Sequence, residues 1–259
     1  MHYIQFKQAK DQDMAPKISS VRLYVEASLG LDAGIILDRP QAHYVGNVMR
    51  KQVGDPVVLF NGRDGEWLGE LQEVRKNHAL VHVKSCLREQ TPEPDIILYF
   101  APLKKIPTAL VVQKATELGA SQLSPVQTTR TNADKIRDDK MVLQAIEAAE
   151  QSERLSVPEI RKLEKLSTVL KHRDMDRPLI FCNERLDKKA PLEQLADLKN
   201  FGKWAVLIGP EGGFSEEEVS QIMASENVHA IGLGPRILRA ETAVMASLTL
   251  LQAVCGDWN

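Results

Sequence analysis

A chain of 259 residues is long enough to bury one large core or two unequal ones. With 43% hydrophobic and 26% charged residues it has the composition of an ordinary globular protein and not of a disordered, fibrous or membrane-embedded one. The formal net charge of -2 excludes the strongly basic balance that marks a general nucleic-acid binder, so any RNA contact has to come from local patches.

Residues 1–20 begin polar (MHYIQFKQAKDQD), lack the apolar segment of a secretory signal, and are read as a flexible N-terminal extension that stays out of the fold. The expected location is the cytoplasm. Cys86, Cys182 and Cys255 lie far apart, with no CxxC pair and no histidine at ligand spacing, so neither a disulfide framework nor a metal site is indicated. The longest apolar run, residues 243–255, is interrupted by Ser247, Thr249 and Gln252. It reads as a core helix stopped by Gly256, not as a membrane span, and no membrane partner is expected.

From Val21 to Arg88, short alternating segments are separated by turn residues. Asn61-Gly62 and Asp64-Gly65 are hairpin signals between apolar runs, and Val81 and Val83 alternate with Leu80 and His82 as in a half-buried strand. Residues 21–88 are therefore expected to form a small β-barrel. One helix is expected inside it over residues 40–55, with Val45, Val48 and Met49 on one face and Arg50 and Lys51 beside it. Arg22, His43, Arg50 and Arg63 are candidates for docking an RNA phosphate backbone, although by residue type alone four scattered basic groups are more often a solvated surface. The polar, proline-rich residues 89–94 read as a linker.

Beyond the linker, over residues 95–259, the period changes. Strands at DIILYFA (95–101), QLSPVQT (122–128), PLIFCNE (178–184) and WAVLI (204–208) alternate with helices at 107–118, near 139–153 and near 191–199. This alternation predicts an α/β fold with a mostly parallel sheet and helices on both faces.

Two loops near the C-terminus carry the chemistry: IGPEGGFS (208–215) and LGPRILRAETA (233–243). Ligands of open α/β sheets bind outside the carboxyl ends of the strands, so two Gly-rich loops after two strands are candidates for opposite walls of one pocket. Gly209, Gly212 and Gly213 would let a flat ligand lie against bare backbone. Ser215 followed three residues later by Glu218 is a capping box that starts a helix. The second loop adds Arg236, Arg239 and Glu241 to an apolar segment, and such groups need a ligand or one another. Neither loop is a P-loop or a dinucleotide fingerprint.

QKATELG (113–119), EAAEQSER (147–154), IGPEGGFS and LGPRILRAETA, in that order and preceded by HYVGNVMRKQVGD (43–55), resemble one family. It is the RsmE family of small-subunit ribosomal RNA uridine-N3 methyltransferases, in the SPOUT superfamily, and the resemblance covers roughly residues 21–258. It implies a PUA-like N-terminal β-barrel that helps hold RNA. It also implies a C-terminal SPOUT methyltransferase domain with a deep trefoil knot, which no periodicity would predict. S-adenosyl-L-methionine is the implied cofactor and 16S ribosomal RNA, in the assembled small subunit, the implied substrate. A homodimer with the site near the subunit interface, and no metal, are implied as well. The donor is expected against Phe181, Asn183 and Glu184 at the end of PLIFCNE, and against Ile208, Gly209, Glu211, Gly212 and Gly213 in the first loop. From the second loop it would meet Leu233, Gly234, Ile237, Leu238, Arg239, Thr242 and Ala243.

A sulfonium is already an excellent leaving group, so such an enzyme mainly has to align methyl and nucleophile and expose a deprotonated N3. A carboxylate can take the proton, and an arginine beside the uracil carbonyls can stabilise the anion. Arg236, Arg239 and Glu241 are the catalytic candidates. Glu211 is read as a brace of its own loop before it is read as a base, and pairing between Arg239 and Glu241 weighs evenly with catalysis. Arg236 has no obvious partner in its loop and is assigned to RNA. Arg154 faces either RNA or a partner subunit, and Lys114 with Glu117 reads as an ordinary i,i+3 ion pair. A ribose 2'-O-methyltransferase is the nearest alternative, disfavoured because RILRAET stands where an Asn-rich loop is usual. A non-catalytic RNA-binding module on the same scaffold is the other.

Overall fold

The computed structural model describes residues 21–103, 105–131, 136–183 and 191–258. The extension expected over residues 1–20 lies outside the described residues.

Five strands make the first sheet: β1 (Val21–Tyr24), β2 (Gly34–Leu37), β3 (Pro56–Phe60), β4 (Glu66–Arg75) and β5 (His78–Arg88). Their order is β1-β3-β4-β5-β2, with β1 and β3 parallel and the other pairs antiparallel. The alternation legible in the sequence turns Ala79, Val81 and Val83 inward, where they pack with Leu23, Ile35, Val57 and Leu59. The β3–β4 turn is built by Asn61. Its side-chain oxygen accepts from the N–H of Arg63 and of Asp64, and its amide donates to the Asp64 carboxylate.

The helix expected over residues 40–55 is shorter than its apolar pattern suggests. Helix α1 (Arg39–His43) starts at a capping box of Asp38 and Gln41 and continues only as one π-helical turn, Tyr44–Val48. The wider turn shifts later residues out of the α-helical phase. Val45 is buried, Val48 and Met49 are exposed, and Arg50 leaves in the left-handed region at φ 54°.

The second sheet has seven strands: β6 (Asp95–Phe100), β7 (Gln122–Gln127), β8 (Glu159–Ile160), β9 (Glu164–Lys165), β10 (Leu179–Cys182), β11 (Lys203–Ile208) and β12 (Val228–Ile231). The order is β12-β10-β11-β6-β7-β8, with β9 also on β7, and every pair is parallel. Among the described residues six α-helices cover it: α2 (Lys105–Glu117), α3 (Asp138–Gln151), α4 (Leu166–His172), α5 (Pro191–Ala196), α6 (Glu216–Met223) and α7 (Ala240–Val254). Ile96, Leu98 and Phe100 alternate toward α2, α3 and α7, whereas Tyr99, Phe181 and Leu207 face α4 and α6. The expected two-faced α/β layering follows from that period of two. No helix among the described residues is long and apolar enough to cross a membrane.

The two sheets meet at the C-terminal end of α3, within the EAAEQSER motif. Glu66 of β4 sits between two arginines, accepting from Arg22 Nε at 2.6 Å and from Arg88 Nε at 2.7 Å. The same arginines reach carbonyls at and just beyond the end of α3: Arg22 donates to Ala149 O in its last turn and to Arg154 O after it, and Arg88 to Glu153 O after it. Cations belong there, because the last carbonyls of a helix lack partners and carry its negative dipole end. Arg22 also stacks 3.7 Å from the Phe60 ring centroid. Arg154 turns inward, donating to the Glu93 carboxylate at 2.8 Å and to Thr116 O at 2.9 Å.

This geometry corrects two expectations. The Arg22 and Arg154 side chains are only 9% and 7% exposed, and both are committed to carboxylates and carbonyls of the joint, so neither is open to RNA. His43, Arg50 and Arg63 are exposed, with Arg63 donating to Glu26 O. Lys114 and Glu117 form the expected ion pair at 2.7 Å.

Candidate active site

A cavity of about 460 Å³ opens at the carboxyl ends of β10, β11 and β12. Phe181, Cys182 and Asn183 supply one side. The β11–α6 loop supplies Ile208, Gly209, Pro210, Glu211, Gly213 and Phe214, and the β12–α7 segment supplies Leu233, Gly234 and residues 236–240 with Ala243. Glu216, Val219 and Ser220 of α6 complete the wall.

Local sequence sets each wall. In the β11–α6 loop the Gly213 N–H donates to Pro210 O at 2.9 Å, and Gly213 sits at φ 68°, a conformation that costs an L side chain about 1 kcal/mol or more. A Cβ on Gly209 would lie 2.7 Å from the Phe214 ring. The bare Gly209 therefore lets Phe214 fold back and pack edge-on against Phe181, with centroids 5.4 Å apart. The Ser215 hydroxyl accepts from the Glu218 N–H and the Glu218 carboxylate accepts from the Ser215 N–H, which starts α6 as its capping box predicts. At the other wall Arg239 is the N-cap of α7 in extended conformation, with no side-chain cap, so the first-turn N–H groups of a 15-residue helix remain open.

Twelve of the expected cofactor-contact residues line this one cavity: Phe181, Asn183, Ile208, Gly209, Glu211, Gly213, Leu233, Gly234, Ile237, Leu238, Arg239 and Ala243. Arg236 lines it too. Glu184 lies outside the described residues. Four expectations are corrected. Gly212 does not line the cavity, because the Pro210–Gly213 turn points it outward, where a Cβ would meet the Arg130 side chain at 3.4 Å. Glu241 and Thr242 do not line it either. Ala240 and Ala243, one helical turn apart, take the cavity face of α7, and the two residues between them project elsewhere. The loop's buried carboxylate brace is Glu218 rather than Glu211.

Arg236 and Arg239 are exposed at the cavity wall, and neither has an ion-pair partner among the described residues; of the two readings weighed for Arg239, the pair with Glu241 is not formed. Burial pushes the Cys182 thiol up to about 12, only partly offset by the Ser247 hydroxyl, so this cavity-wall sulfur stays protonated and is a poor nucleophile. Among the described residues the acidic groups of the wall are Glu211 and Glu216, on either side of Phe214 in sequence.

The sequence reading missed Phe214, Glu216 and Val219. An aromatic directly after two loop glycines was the available signal for Phe214, and Glu216 and Val219 are one helical turn apart on the helix that the legible cap at Ser215 starts. It also missed Thr129 and Arg130, which hold the β11–α6 loop from 89 and 82 residues away and leave no local pattern.

Comparison with known proteins matches the model of an RNA methyltransferase domain over residues 90–252 and that of an RNA methyltransferase PUA domain over residues 37–84. The chain is 30% identical over 240 residues to ribosomal RNA small subunit methyltransferase E of Rickettsia conorii, covering 91% of this chain and 98% of that one. Among solved structures it resembles ribosomal RNA small subunit methyltransferase E of Neisseria gonorrhoeae bound to S-adenosyl methionine. That match has 26% identity and a TM-score of 0.81, covering 93% of this chain and 100% of that one. A methyltransferase of Legionella pneumophila, also in complex with S-adenosylmethionine, matches at 29% identity with a TM-score of 0.80, covering 92% of this chain and 99% of that one.

Proposed function

We propose that this chain, which belongs to the ribosomal RNA small subunit methyltransferase E family, transfers the methyl group of S-adenosyl-L-methionine to N3 of a uridine in 16S ribosomal RNA. The single observation that carries the reading is the cavity. One pocket of about 460 Å³, in the range of small-molecule sites, gathers twelve of the residues that the family resemblance assigns to the donor. The resemblance also supports a homodimer acting on assembled subunits in the cytoplasm, and a knotted catalytic domain over residues 95–259 joined by residues 89–94 to an RNA-holding domain over residues 21–88.

The residues present fit such a donor. Phe181, Leu233 and Leu238 offer apolar surface for a flat base, Gly234 leaves backbone uncovered, and Glu211 and Glu216 complement positive charge. The uncapped N–H groups at the start of α7 suit a carboxylate. When bound, the donor supplies an activated methyl on a sulfonium. The chain's own part is to orient, to exclude water and to take the N3 proton. Glu211 and Glu216 are the carboxylates of the wall among the described residues and hence the acceptors to test; Glu241 does not line it. Arg236 and Arg239, exposed and unpaired among the described residues, are the groups to meet RNA phosphate or the developing uracil anion.

Donor binding tests this reading first: calorimetry on the purified chain should give one S-adenosylmethionine per chain, and absence of binding would overturn it. Arg236 then separates the two substrates. Arg236→Ala is expected to cut methyl transfer about ten-fold or more while donor affinity stays within about two-fold. A phosphate contact appears as weaker RNA binding with a shallower salt dependence, and a uracil contact as lower turnover at saturating RNA. Wild-type turnover and RNA affinity together would remove Arg236 from the site.

A further inference from the structure

The loop Thr128–Thr131, after β7, contributes nothing to the cavity wall, yet it fastens that wall from behind. The Arg130 guanidinium donates to Gly212 O at 2.6 Å, and the Arg130 methylenes lie where a Gly212 Cβ would touch them, at 3.4 to 4.0 Å. The neighbouring Thr129 N–H donates at 2.7 Å to one oxygen of the buried Glu218 carboxylate, whose other oxygen accepts from the Ser215 N–H at 2.8 Å. Both ends of the segment 212–215 are thereby held by two adjacent residues. The clip itself is closed: Thr131 Oγ1 accepts from the Thr128 N–H at 2.9 Å, and the Thr131 N–H donates to Thr128 O at 3.2 Å.

Resting on the reading that the cavity takes the methyl donor, the geometry points to Arg130 as a positioning residue for the donor loop. It touches no part of the cavity and acts through Gly212. A surface loop of small residues would sample many conformations and lose them on binding, and a charge-assisted hydrogen bond to its carbonyl removes that cost beforehand.

Arg130 is exposed, so Arg130→Ala and Arg130→Lys should both fold. The test uses the full chain and three readouts: hydrogen exchange of residues 209–215 without donor, calorimetric Kd for S-adenosylmethionine, and kcat at saturating donor. For Arg130→Ala we expect faster exchange in that segment, a Kd raised about ten-fold and a kcat within about two-fold of wild type. Lysine still offers a donor to Gly212 O and should recover most of both losses. Unchanged exchange in Arg130→Ala overturns the proposal. So does an unchanged donor Kd combined with weaker RNA binding, which would make Arg130 an RNA contact. If the wild-type chain fails to bind the donor, the reading of the cavity is what fails, and the exchange experiment still decides whether Arg130 holds the loop.

Discussion

Gly209→Val is expected to raise the Kd for S-adenosylmethionine by about 100-fold or more, equivalent to about 2.7 kcal/mol of binding energy. Even a single Cβ at Gly209 stands 2.7 Å from the Phe214 ring, nearer than side-chain carbons approach, and valine adds two methyls. On one side the ring packs edge-on against Phe181, and on the other it lines the cavity. It must therefore swing away, and with it goes a wall made of Ile208, Gly209 and Phe214. Gly212→Ala is the matched control. Its Cβ would make only ordinary contact with Arg130 at 3.4 Å, outside the cavity, and donor affinity should change by no more than about two-fold. Calorimetry on both folded variants checks this. Equal affinities would mean that the β11–α6 loop does not wall the donor.

The second large effect is on stability. Glu66→Ala should destabilise the chain by about 3 kcal/mol, because it strands the Arg22 guanidinium, 9% exposed, without its carboxylate. Burial lowers the pKa of Arg22, and Glu66 opposes that shift. Burial alone would raise the Glu66 pKa, but the hydrogen bonds from Arg88 and Arg22 outweigh it and hold the carboxyl below the ordinary glutamate range. A carboxyl whose folded pKa lies below its unfolded value stabilises fully above the unfolded value, and the contribution is lost as the pH falls through the folded one. Acidification should thus destabilise wild type more steeply than Glu66→Gln. Urea denaturation at about pH 7 and about pH 4 measures both effects. A loss under about 1 kcal/mol in Glu66→Ala would mean that the joint is not held by this carboxylate.

Much of this architecture was legible because it depends on neighbours in sequence. The inward set Ala79, Val81 and Val83, the alternation of strands with helices after Asp95, and the start of α6 at Ser215 each follow from a local period or a three-residue cap. The cavity was legible because Gly-rich loops after parallel strands converge at one end of a sheet. What failed depends on distant partners or on helix phase. Arg22 and Arg154 look like surface cations until the carbonyls at and just beyond the end of α3 and the carboxylates of Glu66 and Glu93 are brought to them. Val48 and Met49 keep an α-helical spacing in the sequence, but one π-turn carries them outward. Glu241 shares a loop with Arg239 and differs from it only in phase, since Ala240 and Ala243 occupy the cavity side of α7.

The most direct test of the central claim is the identity of the methylated atom. Small subunits lacking the modification are incubated with the purified chain and S-adenosylmethionine carrying a labelled methyl, and the 16S ribosomal RNA is digested to nucleosides. The account predicts label in N3-methyluridine, and that Arg236→Ala diminishes it. Label on a ribose 2'-oxygen, or no incorporation by a chain that binds the donor, would contradict it.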